Sequence, residues 1–228
     1  MSLYLEQFVK EKPVRKRNMI TEKGVIPLKE HSTKQKVQHA ARELFYLKGF
    51  HGTSLRDIAK KANVNVSLIS YYFDHKQGLL EALMIQYYEH YLREIEEVQQ
   101  QYKGKNPVEA IVRLVEAIIH YKQKNHQFTC FIQRELTLDN MLVREMLVTY
   151  LARERYVIEN AFLDLLESQP YNQMEKKCLL VQFKGMLNSP YFMPHEWLDY
   201  VRWDGSHQSF VNHYTKVIRR WLESLYVA

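Results

Sequence analysis

Residues 52–73 read GTSLRDIAKKANVNVSLISYYF. Apolar residues recur here at Leu55, Ile58, Ala59 and Ala62, the spacing of a short helix with one buried face. Ser54 stands where an N-cap is wanted, and Asp57 follows three residues on, beside the positive helix end. Asn63-Val64-Asn65 then makes a tight turn. Such a turn needs a residue that tolerates positive φ; glycine is the usual one, and asparagine is the next best. Asn65 caps a third helix over Val66 to Tyr72, whose Ile69 points with Val64 into a small core. Ile58, Ala59, Asn63, Val64 and Ile69 thus fall, in order, on the core, small, turn, core and core positions of a helix-turn-helix.

Upstream, Ser32-Thr-Lys-Gln35 has the pattern of a capping box that opens a first helix. Val37, Ala40, Ala41, Leu44 and Phe45 follow at helical spacing, and Gly49 is placed to end that helix as a left-handed cap. Downstream, Asp74 is expected to cap a long fourth helix running to about Tyr102, with Leu80, Leu83, Met84, Tyr87, Tyr91, Ile95 and Val98 as its stripe. Asn106-Pro107 opens a fifth helix, since proline suits the first helical position. A sixth is expected from about His126 to Leu136, and a seventh from an Asp139 cap to about Glu167. Two more follow near 173–188 and 206–226, with a short one near 195–201. The last repeats Phe210, Val211, Tyr214, Val217, Ile218, Trp221, Leu222 and Leu225, an amphipathic pattern. Only 7 Gly and 6 Pro punctuate 228 residues, as short connections between helices require. The expected fold is all-α. A basic N-terminal arm (1–31, with a short helix near Leu5 to Val9) precedes a three-helix helix-turn-helix head (32–78) and a larger helical domain (79–228).

Charge separates these parts. Residues 1–31 carry seven Lys/Arg against four Glu, residues 32–78 eight against three acids, and residues 79–228 seventeen against nineteen. All the positive excess therefore lies in the first third, which suits a polyanion partner there. The arm's cluster Lys10, Lys12, Arg15, Lys16 and Arg17 is able to track phosphate or enter a minor groove, or is an extension without a role.

Other classes are excluded. No run of apolar residues is long enough to span a membrane, and no secretory core opens the chain. Cys130 and Cys178 stand alone in helical patterns, so a reducing cytoplasm is the expected setting, with association to the nucleoid. His120, His126 and His195 pair with nothing at ligand spacing, so neither metal nor cofactor is expected. No nucleophile elbow, phosphate-cradling glycine loop or paired catalytic set is present, so no enzyme activity is expected.

The stretch Ala41 to Leu80 resembles the TetR family of bacterial regulators. The resemblance is carried by Phe45, Gly49-Phe50, Gly52-Thr53-Ser54, Ile58-Ala59, Val64-Asn65, Ser70-Tyr71-Tyr72-Phe73, Lys76 and Leu79-Leu80. It implies three N-terminal helices for DNA and a larger helical domain for dimerisation and often ligand binding. The segments Phe131-Ile-Gln-Arg-Glu-Leu-Thr-Leu-Asp139, Leu142-Val-Arg-Glu145, Thr149-Tyr150-Leu151 and Leu187 to Pro194 look like one branch of that family. Members of that branch, from spore-forming bacilli, bind DNA near the replication origin and act on the division protein FtsZ. The basic arm departs from that pattern.

A third helix in the major groove presents its N-terminal and outward residues to base edges. The outward candidates are Val66, Ser67, Ser70 and Tyr71, with Asn65 at the cap. Arg and Lys are absent from this helix, so readout is expected from thymine methyls (Val66), hydroxyls (Ser67, Ser70) and DNA shape. Phosphate contacts are expected from Thr53, Arg56, Tyr71 or Tyr72, and Lys76, the last contributing about one unit to the salt dependence. Lys60 and Lys61 suit a solvated face.

Heads of this size read half-sites in pairs, so a palindromic duplex and a homodimer are expected. The helices near 173–188 and 206–226 are apolar over wide arcs, and Phe183, Leu187, Tyr214, Ile218, Trp221 and Leu225 are the expected dimer interface. Arg144 and Glu145 interrupt an apolar run. They form a solvated face or, as the second resemblance implies, a protein-partner surface with Glu81 and Glu89 that would meet FtsZ. Three functions stay open: a DNA-bound regulator of division, a ligand-gated repressor whose small-molecule effector the residues do not indicate, and a helical interaction module without DNA binding.

Overall fold

The structure is a computed structural model and describes residues 28–138, 140–192 and 207–226. These form helices joined by short loops: α1 (Leu28–Lys48), α2 (Leu55–Ala62), α3 (Val66–Phe73), α4 (Lys76–Tyr102), α5 (Pro107–Lys124), α6 (His126–Thr137), α7 (Met141–Leu165), α8 (Gln173–Phe192) and α9 (His207–Leu225). No strand occurs among the described residues. The short helices expected near Leu5 to Val9 and near 195–201 lie outside them, as does most of the basic arm.

The loop chemistry sets where helices begin and end. Gly49 closes α1 at φ 73, and Asn63 closes α2 at φ 53, the left-handed conformation a tight turn requires. Asn106 Oδ1 accepts from the backbone N–H of Val108 and Glu109, with Pro107 opening α5. Three boundaries differ from the sequence reading. α1 starts at Leu28, so Ser32 lies inside the helix rather than capping it. Asp74 does not cap α4: at φ 66 it ends α3, and His75 takes the cap, its Nδ1 accepting from Gly78 N at 2.8 Å. A left-handed residue turns the chain too sharply to serve both helices, so the cap falls on its neighbour. Asp139 lies outside the described residues, and Asn140 caps α7.

α1, α2 and α3 close a small core of Val37, Ala40, Ala41, Leu44, Phe45, Ile58, Ala59 and Ile69. α4 runs from this core into the larger domain, where Leu79, Leu80 and Leu83 hand over to Tyr87, Tyr88, Tyr91 and Ile95. There α4 packs on α5 and α7, and α9 lies along α5. The larger core holds a ring cluster, with Tyr87 5.2 Å from Tyr88 and from Tyr121 and 5.7 Å from Phe128. Lys122 is buried to 2% exposure within it. Its ammonium donates to Asn188 Oδ1 at 2.7 Å and lies 3.4 Å from Glu154 Oε1, which also accepts from the Tyr91 hydroxyl at 2.7 Å. A buried charge persists only when paired and hydrogen-bonded in this way.

Of the residues expected at a dimer interface, four lie in the chain's own core, while Tyr214 and Trp221 are half-buried. Phe183, Leu187, Ile218 and Leu225 are buried within the chain's own core, and Phe162, Phe183 and Trp221 stack there with Phe162 4.8 Å from Phe183. Tyr214 is half-buried, and its hydroxyl donates to the Met186 carbonyl at 2.7 Å. Amphipathic spacing marks a buried face without saying which neighbour buries it, and here α5, α6 and α7 do. The other faces of α8 and α9 instead leave apolar side chains in solvent: Val181 is 70% and Val217 60% exposed, with Met174 beside them in exposure.

Candidate nucleic-acid interface

α2 is fixed by a reciprocal cap. Ser54 Oγ accepts from Asp57 N at 3.1 Å, and Asp57 Oδ2 accepts from Ser54 N at 3.1 Å and from its hydroxyl at 2.8 Å. These bonds, the hydroxyl's first, hold the Asp57 carboxyl below its ordinary range. α3 is fixed by Asn65, whose Oδ1 accepts from Ser67 N at 2.9 Å and from the Ser67 hydroxyl at 2.8 Å. Ile69 and Phe73 anchor the inner side of α3 in the head core.

What remains of α3 faces outward. Ser67, Leu68, Ser70 and Tyr71 are exposed, Tyr71 to 78%. Helical geometry turns about 100° per residue, which puts Ser67 and Tyr71 at the centre of this face, with Leu68 and Ser70 on its flanks. Val66, an expected base contact, is half-buried and packs against the head core, because it lies on the Ile69–Phe73 side of the helix. Tyr72 is also half-buried, its ring edge-on to Tyr71 at 5.3 Å and to Phe73 at 6.2 Å. Leu68, which the sequence reading passed over, is 36% exposed in the outward face. Its place was legible from the same helical period.

Two expected phosphate contacts are engaged inside the chain. Thr53 is 1% exposed, and its hydroxyl is within reach of the Gly49 carbonyl at 2.8 Å and the Leu44 carbonyl at 3.1 Å. It ties the α1–α2 turn to the end of α1. The Lys76 ammonium donates to the carbonyls of Phe50 and Thr53, both at 2.8 Å, and lies 4.4 Å above the Phe50 ring. It braces the start of α4 against the same turn. Arg56 and Lys60 remain exposed on α2, while Lys61 pairs with Glu43 at 2.7 Å. The face therefore combines a cation-free reading helix with cations on the neighbouring helix, a layout suited to base edges flanked by phosphates.

The head is joined to the larger domain by two arginines the sequence did not single out. From α6, Arg134 donates to the carbonyls of Phe45 at 2.8 Å and Tyr46 at 2.9 Å, at the negative end of α1. From α1, Arg42 donates to Gln86 Oε1 at 3.1 Å and sits 5.1 Å over the Phe128 ring. Phe45 stacks on Phe131 at 5.5 Å between them.

The expected partner surface is divided between α4 and α7. Glu89, Arg144 and Glu145 are exposed, whereas Glu81 is half-buried and accepts from Gln77 Nε2 at 3.1 Å. Burial, and after it the Glu89 carboxylate, pushes the Tyr150 hydroxyl up. Exposed apolar residues Ile85, Met141 and Val148 accompany these charges. Among the described residues no group of three or more His, Cys, Asp or Glu is placed to hold a metal ion, and no helix is long and apolar enough to cross a membrane.

Residues 38–83 match the model of bacterial regulatory proteins of the tetR family. Over 196 residues the chain is 35% identical to the probable HTH-type transcriptional regulator YttP of Bacillus subtilis (strain 168), spanning 86% of this chain and 94% of that protein. Among solved structures, the TetR family transcriptional regulator PfmR from Thermus thermophilus superposes with a TM-score of 0.63 at 18% identity, over 81% of this chain and 97% of PfmR. FadR from Bacillus subtilis in complex with stearoyl-CoA superposes with a TM-score of 0.58 at 18% identity, over 80% and 96% of the two chains. At these identities the two structures share the fold.

Proposed function

The chain belongs to the TetR family of bacterial transcriptional regulators, which are not enzymes, and from that premise we propose that it is a homodimer that reads a palindromic DNA site through α3. The observation that carries this reading is the outward face of Ser67, Leu68, Ser70 and Tyr71, set on a capped head whose residues 32–78 hold the chain's densest positive excess. The exposed faces of α8 and α9, with Val181 and Val217, supply the second-copy surface. Base contacts come from α3, with Arg56 of α2 on the flanking phosphates.

At the finer level the chain is read as a RefZ-like regulator that acts on FtsZ from origin-proximal sites. Support comes from the resemblance over residues 131–151 and 187–194 and from the exposure of Glu89, Arg144 and Glu145 beside Ile85 and Val148. A ligand-gated repressor is the second reading. It is favoured by an open surface cleft of about 440 Å³ where the end of α4 and the start of α5 meet α7, lined in part by Tyr102, Tyr156, Asn160 and Asp164. That volume suits a small molecule.

Sequencing the genomic fragments that the full chain retains at near-physiological salt separates the readings. A few palindromic sites clustered around the replication origin support the division regulator. Sites at promoters, its own above all, favour the repressor. No enrichment removes DNA reading altogether and leaves a helical interaction module. Arg144→Glu, with DNA binding intact, is expected to abolish an effect on FtsZ assembly; an unchanged effect overturns that surface.

A further inference from the structure

α3 carries neither Arg nor Lys, and its asparagine cap is committed to Ser67. The bidentate side-chain pairings that pick out guanine and adenine are therefore missing from its outward face. That face instead presents a leucine. Leu68 is 36% exposed, between Ser67 and the buried Ile69, and one turn ahead of the 78% exposed Tyr71. Its neighbours cover part of it, but the inner side of α3 is filled by Ile69 and Phe73 with Val66 and Tyr72 at the margins, and the rest of the leucine stands open. A leucine on the reading side of a helix gains nothing from phosphate. The one apolar group that a base pair displays in the major groove is the C5-methyl of thymine.

We propose that Leu68 is a specificity-determining residue that selects thymine, by packing its isobutyl group against that methyl in each half-site. The inference rests on the reading of α3 as the DNA-contacting helix. Ser67 and Tyr71 at the centre of the face set the depth of the helix, and Leu68 on the flank meets a base edge.

The test separates the methyl from every other feature of the base. The full chain is used to select its preferred duplex from a randomised library. Each thymine in that duplex is then replaced singly by deoxyuridine, which removes only the methyl. Affinities are measured for the wild type, Leu68→Ala and Leu68→Met. For the wild type, one thymine per half-site is expected to show a loss of about fourfold on replacement, the value of one buried methyl group. Leu68→Ala is expected to bind thymine and deoxyuridine alike at that position and to lose the thymine preference in the selection. Leu68→Met, which keeps an apolar group there, is expected to retain both. Because Leu68 is only 36% exposed, Leu68→Ala is expected to lower the melting temperature by a few degrees, and comparing thymine with deoxyuridine within the same variant removes that loss from the reading. Deoxyuridine effects equal in the wild type and Leu68→Ala overturn this inference and leave the DNA-reading function standing. A wild type that selects no sequence overturns both.

Discussion

Thr53 and Lys76 show how residue chemistry is redirected by its surroundings. Both are types that contact phosphate, and both spend their polar atoms on the turn between α1 and α2. Thr53→Val leaves the Leu44 and Gly49 carbonyls short of a donor, at about 1–3 kcal/mol for a buried group. Lys76→Ala frees the Phe50 and Thr53 carbonyls in the same way. Each variant is expected to melt about 2–4 °C lower per kcal/mol lost, by calorimetry, with the salt slope of DNA binding unchanged. A slope lowered by one unit in Lys76→Ala would return that ammonium to the phosphates. Tyr71 is the contrasting case. At 78% exposure it supports no core, so Tyr71→Ala is expected to weaken DNA binding about tenfold at constant melting temperature. Fluorescence anisotropy on the selected duplex reads that loss; binding within about twofold of wild type would place the ring away from DNA.

At the scale of elements, α1 and α6 are coupled through charge at a helix end. The Arg134 guanidinium donates to two carbonyls in the last turn of α1, that of Tyr46 and that of Phe45, which also accepts from Gly49 N, and the stacked Phe45 and Phe131 rings seal the contact. Arg134→Ala is expected to cost about 1 kcal/mol and to raise amide exchange in the last turn of α1 more than in α3. Uniform exchange across the head would mean that the packing alone holds α1. The buried Lys122 on α5 ties α7 and α8 together in a similar way. Glu154→Leu removes its counter-charge and is expected to destabilise by about 3–5 kcal/mol, whereas the double change Lys122→Met with Glu154→Leu is expected to recover most of that. Chemical denaturation of both variants checks the sign; a double variant no better than the single would show that the pair contributes net stability.

For the whole molecule, the division between inner and outer faces of α8 and α9 decides what a second copy meets. Phe183 belongs to the chain's own core, so Phe183→Ala is expected to cost about 3–5 kcal/mol and to unfold chains rather than separate them. Val181→Glu and Val217→Glu are expected to keep the melt cooperative while shifting the mass in light scattering from dimer to monomer, with affinity for a palindrome falling to that for a single half-site. A dimer that survives both changes would move the interface to another face. The arrangement also accounts for how a dimer would hold two heads in register: α4 runs unbroken from the head core into the domain whose outer faces are proposed to pair.

The all-helical architecture, the helix-turn-helix and most caps were determined locally. Gly49, Asn63, Ser54 with Asp57, and Asn106-Pro107 act through their own φ preferences or through bonds to residues two or three positions away. Such chemistry is legible along the chain. Leu68 was legible too, since the helical period that buries Ile69 and Phe73 turns Leu68 outward. Tertiary structure alone decided which apolar stripe meets which neighbour, so Phe183, Leu187, Ile218 and Leu225 went to the interior and Val181 and Val217 to the surface. It alone decided, too, where long side chains end: Lys76 on a turn 26 residues away, Arg134 on carbonyls 88 and 89 residues away, Lys122 on Asn188. The physical reason is common to both. Periodicity reports that a face is buried and composition that a charge is present, but the partner is chosen by contacts between residues far apart in the chain, where local geometry carries no signal.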